Sequence, residues 1–402
     1  MSWNKVFDLV LNLKRDYERK FKIDHYNIKI WANELNDKRY IDFLSCLELT
    51  IESELVMLRY GLSSVHEDLW LNKDSLYKEC RSLVIDLKNE ELVITPFKKF
   101  FNLNETEENK IDLVLKQIEN AKILEFTDKL DGSMQCARYY NNNIIFTGSR
   151  SLNKETSWRL KDGYSMLTEN HKKMIKENDK LTFIFEYISI RDSHVVKYNK
   201  SDEGLYLIGI RNVDTGEEYS YSEISKFSKK YNIKMAQIED IKLDEILEKC
   251  KTLKSNEKEG WILNIDGKKI KIKVDDYVYI HKILDKLSSI NLVIRCISNG
   301  KFDDLIAKIP DIYRDEILNT SKIIYRYIDK INKDANYYFS KAPKDKIKFY
   351  KYVYNDVPKE VSRHVIKLYN NEPIKPLVLK FDNQYVLFKD IVGYLEKENK
   401  DE

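Results

Sequence analysis

The apolar positions change period several times along the chain, and those changes outline its elements. Between residues 3 and 20, Trp3, Val6, Phe7, Leu9, Val10 and Leu13 recur at helical spacing and predict an amphipathic first helix. Short apolar runs at Leu55–Tyr60, Ser82–Leu87 and Glu91–Thr95 predict strands. Further strand-like pieces within 120–150 flank a Lys-Leu-Asp-Gly-Ser turn, and 153–178 is polar and helix-prone. Leu181–Ile188 and Leu205–Ile210 predict buried strands, followed by a turn at Asp214-Thr-Gly-Glu217. Residues 221–232 and 240–252 predict helices, and Trp261–Ile265 with Lys268–Val274 predicts a hairpin turning at Asp266-Gly267. Beyond Tyr279 a helical period dominates, over 281–299, 303–308, 312–333 and 358–370, punctuated by Pro310, Pro343 and Pro358. The pattern predicts an α+β protein with a domain boundary near residue 283.

Length changes this picture little. At 402 residues the chain exceeds one ordinary domain, and 43% hydrophobic with 34% charged residues fits a globular protein. The net charge of +3 rules out a broadly basic surface, so any nucleic-acid site must be local. Residues 284–402 carry 22 Lys and Arg against 18 Asp and Glu, a surplus of four. The five cysteines are scattered, odd in number and without a Cys-x-x-Cys pair, which argues against a disulfide framework or a zinc site. No leader-like start and no run of ~18 apolar residues is present, so the expected location is cytoplasmic, without a membrane partner.

Candidate chemistry lies in seven short segments. Lys129-Leu-Asp131-Gly132-Ser133 alone is an ordinary surface turn. Upstream stand Glu79-Cys-Arg81-Ser-Leu-Val-Ile-Asp86 and Pro96-Phe-Lys-Lys99-Phe-Phe101-Asn-Leu-Asn-Glu105. Downstream stand Phe183-Ile-Phe-Glu186-Tyr, Val195-Val-Lys-Tyr198, Glu259-Gly-Trp261 and Lys271-Ile-Lys273, with Tyr277 and His281 beyond. In this order and spacing the segments resemble the covalent nucleotidyltransferases, and most closely the T-even phage RNA ligase 1 family, over roughly residues 55–306.

The resemblance implies an adenylyltransferase domain at 1–283, built of antiparallel sheets flanked by helices, and a mainly helical C-terminal domain at 284–402 that recognises RNA. It implies an ATP-dependent RNA ligase with Lys129 as the nucleophile. Lys129 would take AMP from ATP, pass it to an RNA 5′-phosphate, and a 3′-hydroxyl would then displace AMP. The cofactors implied are ATP and Mg²⁺, with Mn²⁺ as the alternative ion. The partners implied are RNA with 5′-phosphate and 3′-hydroxyl ends, broken tRNA among them, and a kinase or phosphatase that heals those ends. By the same resemblance Arg81, Lys99, Glu186, Glu259, Lys271, Lys273 and Tyr60 bind ATP. Asp131, Gly132, Phe101, Arg150 and Tyr277 support the site, and Asp303 holds metal.

Residue chemistry agrees with those roles. A lysine attacks phosphorus only as the neutral amine, and its usual pKa of about 10.4 leaves roughly one in a thousand neutral at pH 7. Nearby cations and partial burial raise that fraction. Lys271 and Lys273, two apart on a strand, share a face and can supply the cations and hold the α-phosphate. A solvated strand face is the alternative for Lys268, Lys269, Lys271 and Lys273. Glu186 sits in the apolar run Phe183-Ile-Phe-Glu-Tyr-Ile188, where a carboxylate needs a partner. A structural ion pair is the alternative for Glu186 and Glu259, core packing for Phe101, and a helix cap for Asp303.

Three departures stand out. Ser82 occupies a place where the family has Gly, which is harmless only if the backbone keeps φ negative. Arg150 stands in for a lysine and His194 for an arginine. Residues 341–352, Lys-Ala-Pro-Lys-Asp-Lys-Ile-Lys-Phe-Tyr-Lys-Tyr, interleave charge with aromatics, as a single-strand RNA surface or a solvated basic helix would. Pro376–Phe381 could form a strand. Two other functions remain open: a DNA ligase or mRNA-capping guanylyltransferase, which would call for a β-barrel after the paired-lysine strand, and a catalytically silent RNA-binding module.

Overall fold

A computed structural model describes residues 2–61, 69–70, 75–192, 194–278, 280, 290–306, 311–372, 377–381 and 384–396. The chain divides into two compact units, 1–277 and 278–402, each taken by itself below. His281 lies outside the described residues.

The first unit begins with α1 (Lys5–Glu18), α2 (Ile28–Leu35) and α3 (Lys38–Ser45). Asn4 caps α1 by accepting from the Phe7 N–H at 3.0 Å, while Asn27 and Asp37 cap α2 and α3. The α1 stripe Val6, Val10, Leu13 and Tyr17 buries against Trp31 and Tyr40 and against one face of the first sheet. That sheet joins β1 (Leu47–Glu52), β2 (Leu55–Tyr60), β3 (Arg81–Asp86) and β4 (Glu91–Ile94), all antiparallel, in chain order. After α4 (Ile111–Glu119) come β5 (Leu124–Lys129), β6 (Ser133–Tyr140) and β7 (Asn143–Gly148). Next are α5 (Trp158–Ser165), α6 (Glu169–Glu177), β8 (Leu181–Ile188), β9 (Gly204–Asn212), α7 (Tyr221–Tyr231) and α8 (Leu243–Thr252). The hairpin β10 (Gly260–Ile265) and β11 (Lys268–Lys273) closes the unit's strand set. The second sheet has the order β11-β10-β5 and the third β7-β6-β8-β9.

Period two assigns the faces. In β2 and β3, Val56, Leu58, Leu83 and Ile85 face the N-terminal helices, whereas Met57 and Val84 meet Cys136 and Ile184 of the third sheet. Ala137, Phe183, Phe185 and Tyr187 point the other way, into a core with Leu160, Ile175 and Ile224. The result is helix, sheet, sheet, helix, with each buried aliphatic or Phe side chain contributing roughly 1.5–3 kcal/mol. Glu186 shares parity with Ile184 and so points between the sheets.

In the second unit, α9 (Ile290–Ser298), α10 (Phe302–Ile306), α11 (Asp311–Ser340), α12 (Lys346–Asp356), α13 (Lys359–Tyr369) and α14 (Phe388–Glu396) share a core of Val293, Ile324, Ile331, Phe349, Val353, Val365 and Ile391. α11 runs past the predicted end at 333, because Ala335 and partly buried Tyr338 continue its apolar stripe. Among the described residues 377–381, only Lys380–Phe381 is strand, paired antiparallel with Gln384–Tyr385. No described helix is long and apolar enough to cross a membrane.

Candidate active site

The floor of the site is the second sheet, and register builds it row by row. Gly260 pairs with Lys129 on one side and Lys273 on the other; Ile262 pairs with Thr127 and Lys271; Asn264 pairs with Glu125 and Lys269. Alternation sends Phe126, Trp261, Leu263, Ile270 and Ile272 to the buried face, leaving these three rows on the opposite one. A cleft with about 1000 Å³ of empty space, its open mouth included, lies over that face. Its lining combines charged Arg81, Lys129, Glu186, Lys271 and Lys273 with apolar Phe97, Phe100, Ile224 and Met235.

Gly260 is the hinge of the first row. Its φ is +151°, and a Cβ there would lie 2.0 Å from the Ile272 carbonyl oxygen. The missing side chain leaves room for Lys129 and Lys273 on either side. Glu259, one residue earlier and 4% exposed, sits behind both. Its Oε2 is 2.6 Å from Lys129 Nζ and its Oε1 2.9 Å from Lys273 Nζ. Burial works against the Glu259 charge, but the two ammonium groups overcome it and hold the carboxyl below its usual range.

The loop after β5 is fixed by Asp131, which is buried. Its Oδ2 accepts from the Val195 and Val196 N–H groups at 2.8 Å each, and its Oδ1 accepts from Tyr277 OH at 2.7 Å. The Asp131 N–H donates to Tyr198 OH at 2.9 Å. Burial first, and nearby carboxylates second, push the Tyr277 phenol far above its ordinary range. Gly132 donates its N–H to Glu186 Oε1 at 3.1 Å, and a Cβ at Gly132 would lie 2.3 Å from the Tyr187 carbonyl oxygen. Burial, with Glu259 adding to it against Lys129 and Arg81, pushes Glu186 up to about 7.

Lys271 is a buried cation of the cleft. Burial, then Arg81, Lys129, Lys99 and Lys273, lower its pKa well below the lysine range, and Nζ lies 4.8 Å from the Phe100 ring centre. Arg81 stands 5.1 Å from the same ring, and its buried Nη1 has no hydrogen-bond partner among the described residues. A desolvated ammonium beside an orphaned guanidinium nitrogen fits an anionic group such as a phosphate. Next to Arg81, Ser82 has φ +70° at a register shift between β2 and β3, where Leu58 pairs with Leu83 but Arg59 with Arg81. The condition for a harmless Ser is therefore not met: the bulge holds Ser82 in the left-handed conformation that Gly adopts freely. Ser82 Oγ donates to the Ser149 carbonyl oxygen at 2.7 Å.

Lys99 is enclosed by aromatic rings, its Nζ 4.7 Å from the Tyr60 ring centre, 4.6 Å from Trp70 and 5.1 Å from Phe101. Burial lowers its pKa. Lys99, Tyr60 and Phe101 are not among the side chains lining the cleft, whereas Phe100 is. Arg150 is exposed in the turn after β7. His194 Nε2 lies 3.8 Å from Asp192 Oδ2, which raises the pKa of the ring. Asp303 is exposed in the first turn of α10, in the second unit. Among the described residues no three His, Cys, Asp or Glu side chains gather to hold a metal ion unaided. Sequence reasoning missed Phe100, Glu125, Thr127 and Asn264, although the alternation Glu125, Thr127, Lys129 carried the signal for two of them.

A family model described as RNA ligase, of the T4 RNA ligase 1 type, matches residues 79–284. A protein of Autographa californica nuclear polyhedrosis virus, named as a bifunctional polynucleotide kinase/RNA ligase, is 25% identical over 276 residues. That match takes in 64% of this chain and 37% of the viral protein. Among solved structures, a Naegleria gruberi RNA ligase variant with ATP and Mn matches at a TM-score of 0.38 and 19% identity, over 47% of this chain and 59% of that one. An Aquifex aeolicus protein named as an ATP-dependent DNA ligase matches at 0.42 and 15% identity, over 72% and 70%. The chain thus spans about a third of the viral relative and under two thirds of the Naegleria ligase.

Proposed function

The chain belongs to the T4 RNA ligase 1 family, and from that premise we propose that it joins RNA ends through an AMP carried on Lys129. The observation carrying this reading is the row Lys129, Gly260, Lys273 on the floor of the cleft, with Glu259 behind it and Lys271 and Arg81 in the cleft lining. Lys129 Nζ forms a bond to the α-phosphorus of ATP as the bond to pyrophosphate breaks, and its proton leaves towards Glu259 Oε2. Lys271, Lys273 and Arg81 spread the charge developing on the phosphate. The AMP then passes to an RNA 5′-phosphate, breaking the N–P bond and making a pyrophosphate link. Last, a 3′-hydroxyl attacks that end, forms the phosphodiester and releases AMP. Glu186 and Glu259 are the carboxylates that would hold a divalent ion, Mg²⁺ or Mn²⁺, which supplies charge neutralisation on the phosphates.

In this reading residues 1–283 form the adenylyltransferase part and 284–402 choose the RNA, broken tRNA being the proposed substrate. The viral relative's name joins a kinase to a ligase, which supports an end-healing kinase or phosphatase as partner. A DNA ligase or capping enzyme is less well supported. The described residues after β11 are mainly helical, with a two-residue strand pair where a β-barrel is needed.

The test is to incubate the protein with a divalent metal and ATP or GTP labelled at the α-phosphate. A nicked RNA stem-loop, a linear single strand and nicked DNA are then offered in turn. Label from ATP alone, followed by sealing of RNA, is expected. Label from GTP, or sealing of DNA in preference to RNA, would overturn the reading.

A further inference from the structure

The second unit lies almost wholly beyond the family match, yet one of its helices has two unlike faces. α12 buries Phe349 and Val353 in the core, and Val357 follows just past its end. Around the helix from them, Ile347 is 71% exposed, Tyr350 41% and Tyr354 89%. At ~100° per residue these three fall within an arc of roughly 60°, and Lys346 and Lys351 bound it on either side. Both lysines are exposed, and neither is ion-paired to a described carboxylate. Residues 341–356 hold five Lys against two Asp. Just before the helix, Lys341 lies 4.0 Å over the ring of half-exposed Tyr337.

A solvated helix face has no use for three large apolar groups in one stripe. A protein partner would not need the stripe framed by exposed cations. Single-stranded nucleic acid needs both, since its bases stack on rings while its phosphates meet ammonium groups alongside. We propose that this face of α12, Ile347, Tyr350 and Tyr354 between Lys346 and Lys351, docks a single-stranded stretch of the RNA to be joined. The rings take bases by stacking, without reading sequence, and the lysines take the flanking phosphates. This rests on the RNA ligase reading and adds a place for the substrate on the second unit.

The experiment measures binding of the full chain to a 5′-phosphorylated single-stranded RNA by fluorescence anisotropy. Three variants are compared with the parent: Tyr350→Ala with Tyr354→Ala, Tyr350→Phe with Tyr354→Phe, and Lys346→Ala with Lys351→Ala. Loss of stacking is expected to raise Kd by about tenfold or more in the Ala pair, at ~1–3 kcal/mol per stacked base. The Phe pair should bind like the parent. The Lys pair should flatten the dependence of log K on log salt by about 1.4, two phosphates at ~0.7 each. All three should form the Lys129 adduct normally and keep the parent's circular dichroism. An Ala pair within twofold of the parent overturns the docking surface. So does an Ala pair that changes sedimentation but not RNA affinity, because the face would then join two copies of the chain. Either result, with the adduct intact, leaves the ligase reading standing, whereas absence of the adduct in the parent removes that reading itself.

Discussion

Two runs of lysines, one in each unit, show how the same residue type acquires different chemistry. In β11, Lys269, Lys271 and Lys273 alternate with buried Ile270 and Ile272, so all three converge on one cleft. Two are neutralised, Lys273 by Glu259 at 2.9 Å and Lys269 by Glu218, and Lys271 between them is left desolvated against Phe100. In α12, Lys346 and Lys351 stand in water beside exposed rings. Burial makes the Lys271 charge costly unless an anion arrives, whereas the helix charges are screened and act only in number. The strand row should therefore govern the chemical step and the helix row only the affinity for a long, charged substrate.

Glu259→Gln is expected to hit the strand row hardest. It leaves two close ammonium groups without their counter-ion, and breaking such a buried pair costs ~3–5 kcal/mol. Urea unfolding should show that loss and adduct formation should fail; a variant as stable as the parent would mean that the pairing counts for little. Next, Lys271→Ala should slow adduct formation by about 10²–10³-fold, the size of losing one preorganised charge-stabilising group. Lys346→Ala with Lys351→Ala should leave that rate unchanged in the same assay. Equal effects would erase the contrast between the two rows.

A smaller effect is tied to pH. Burial raises the folded-state pKa of Glu186 to about 7, above the ordinary 4.5, so the folded state holds a proton that the unfolded chain has already released. Stability from this group is present below pH 4.5 and is lost as pH rises towards 7, by up to about 3 kcal/mol at ~1.4 kcal/mol per pH unit. Glu186→Gln should remove that slope in unfolding curves collected between pH 4.5 and 8. An identical slope in both proteins would show that Glu186 stays ionised. The smallest change is expected from Ser82→Gly, which relieves a positive φ but loses the bond to Ser149, for a net shift within ~1 kcal/mol. Ser82→Val, β-branched in the same conformation, should cost more than ~2 kcal/mol in the same measurement.

Much of this was legible in the sequence because it follows from local periods. The β10–β11 hairpin turns at Asp266-Gly267, both with positive φ, and its alternation alone puts Lys271 and Lys273 on one face. α2 and α3 escaped, although Asn27 and Asp37 marked their starts, because eight residues offer barely two turns of period. Residues 98–102 lie outside any regular strand, so no parity could show that Phe100 rather than Phe101 faces the cleft. The rings around Lys99 come from Tyr60, Trp70 and Phe101, a long-range meeting that no local pattern encodes. Ser82 bore a signal in its place within the motif, but only the bulge reveals its strain.

The most direct measurement is intact-mass spectrometry of the parent and Lys129→Ala after incubation with ATP and a divalent metal. One added adenylyl unit in the parent and none in the variant is the predicted result. A parent without the added mass, or a variant that still gains it, would contradict the assignment of Lys129 as the nucleophile.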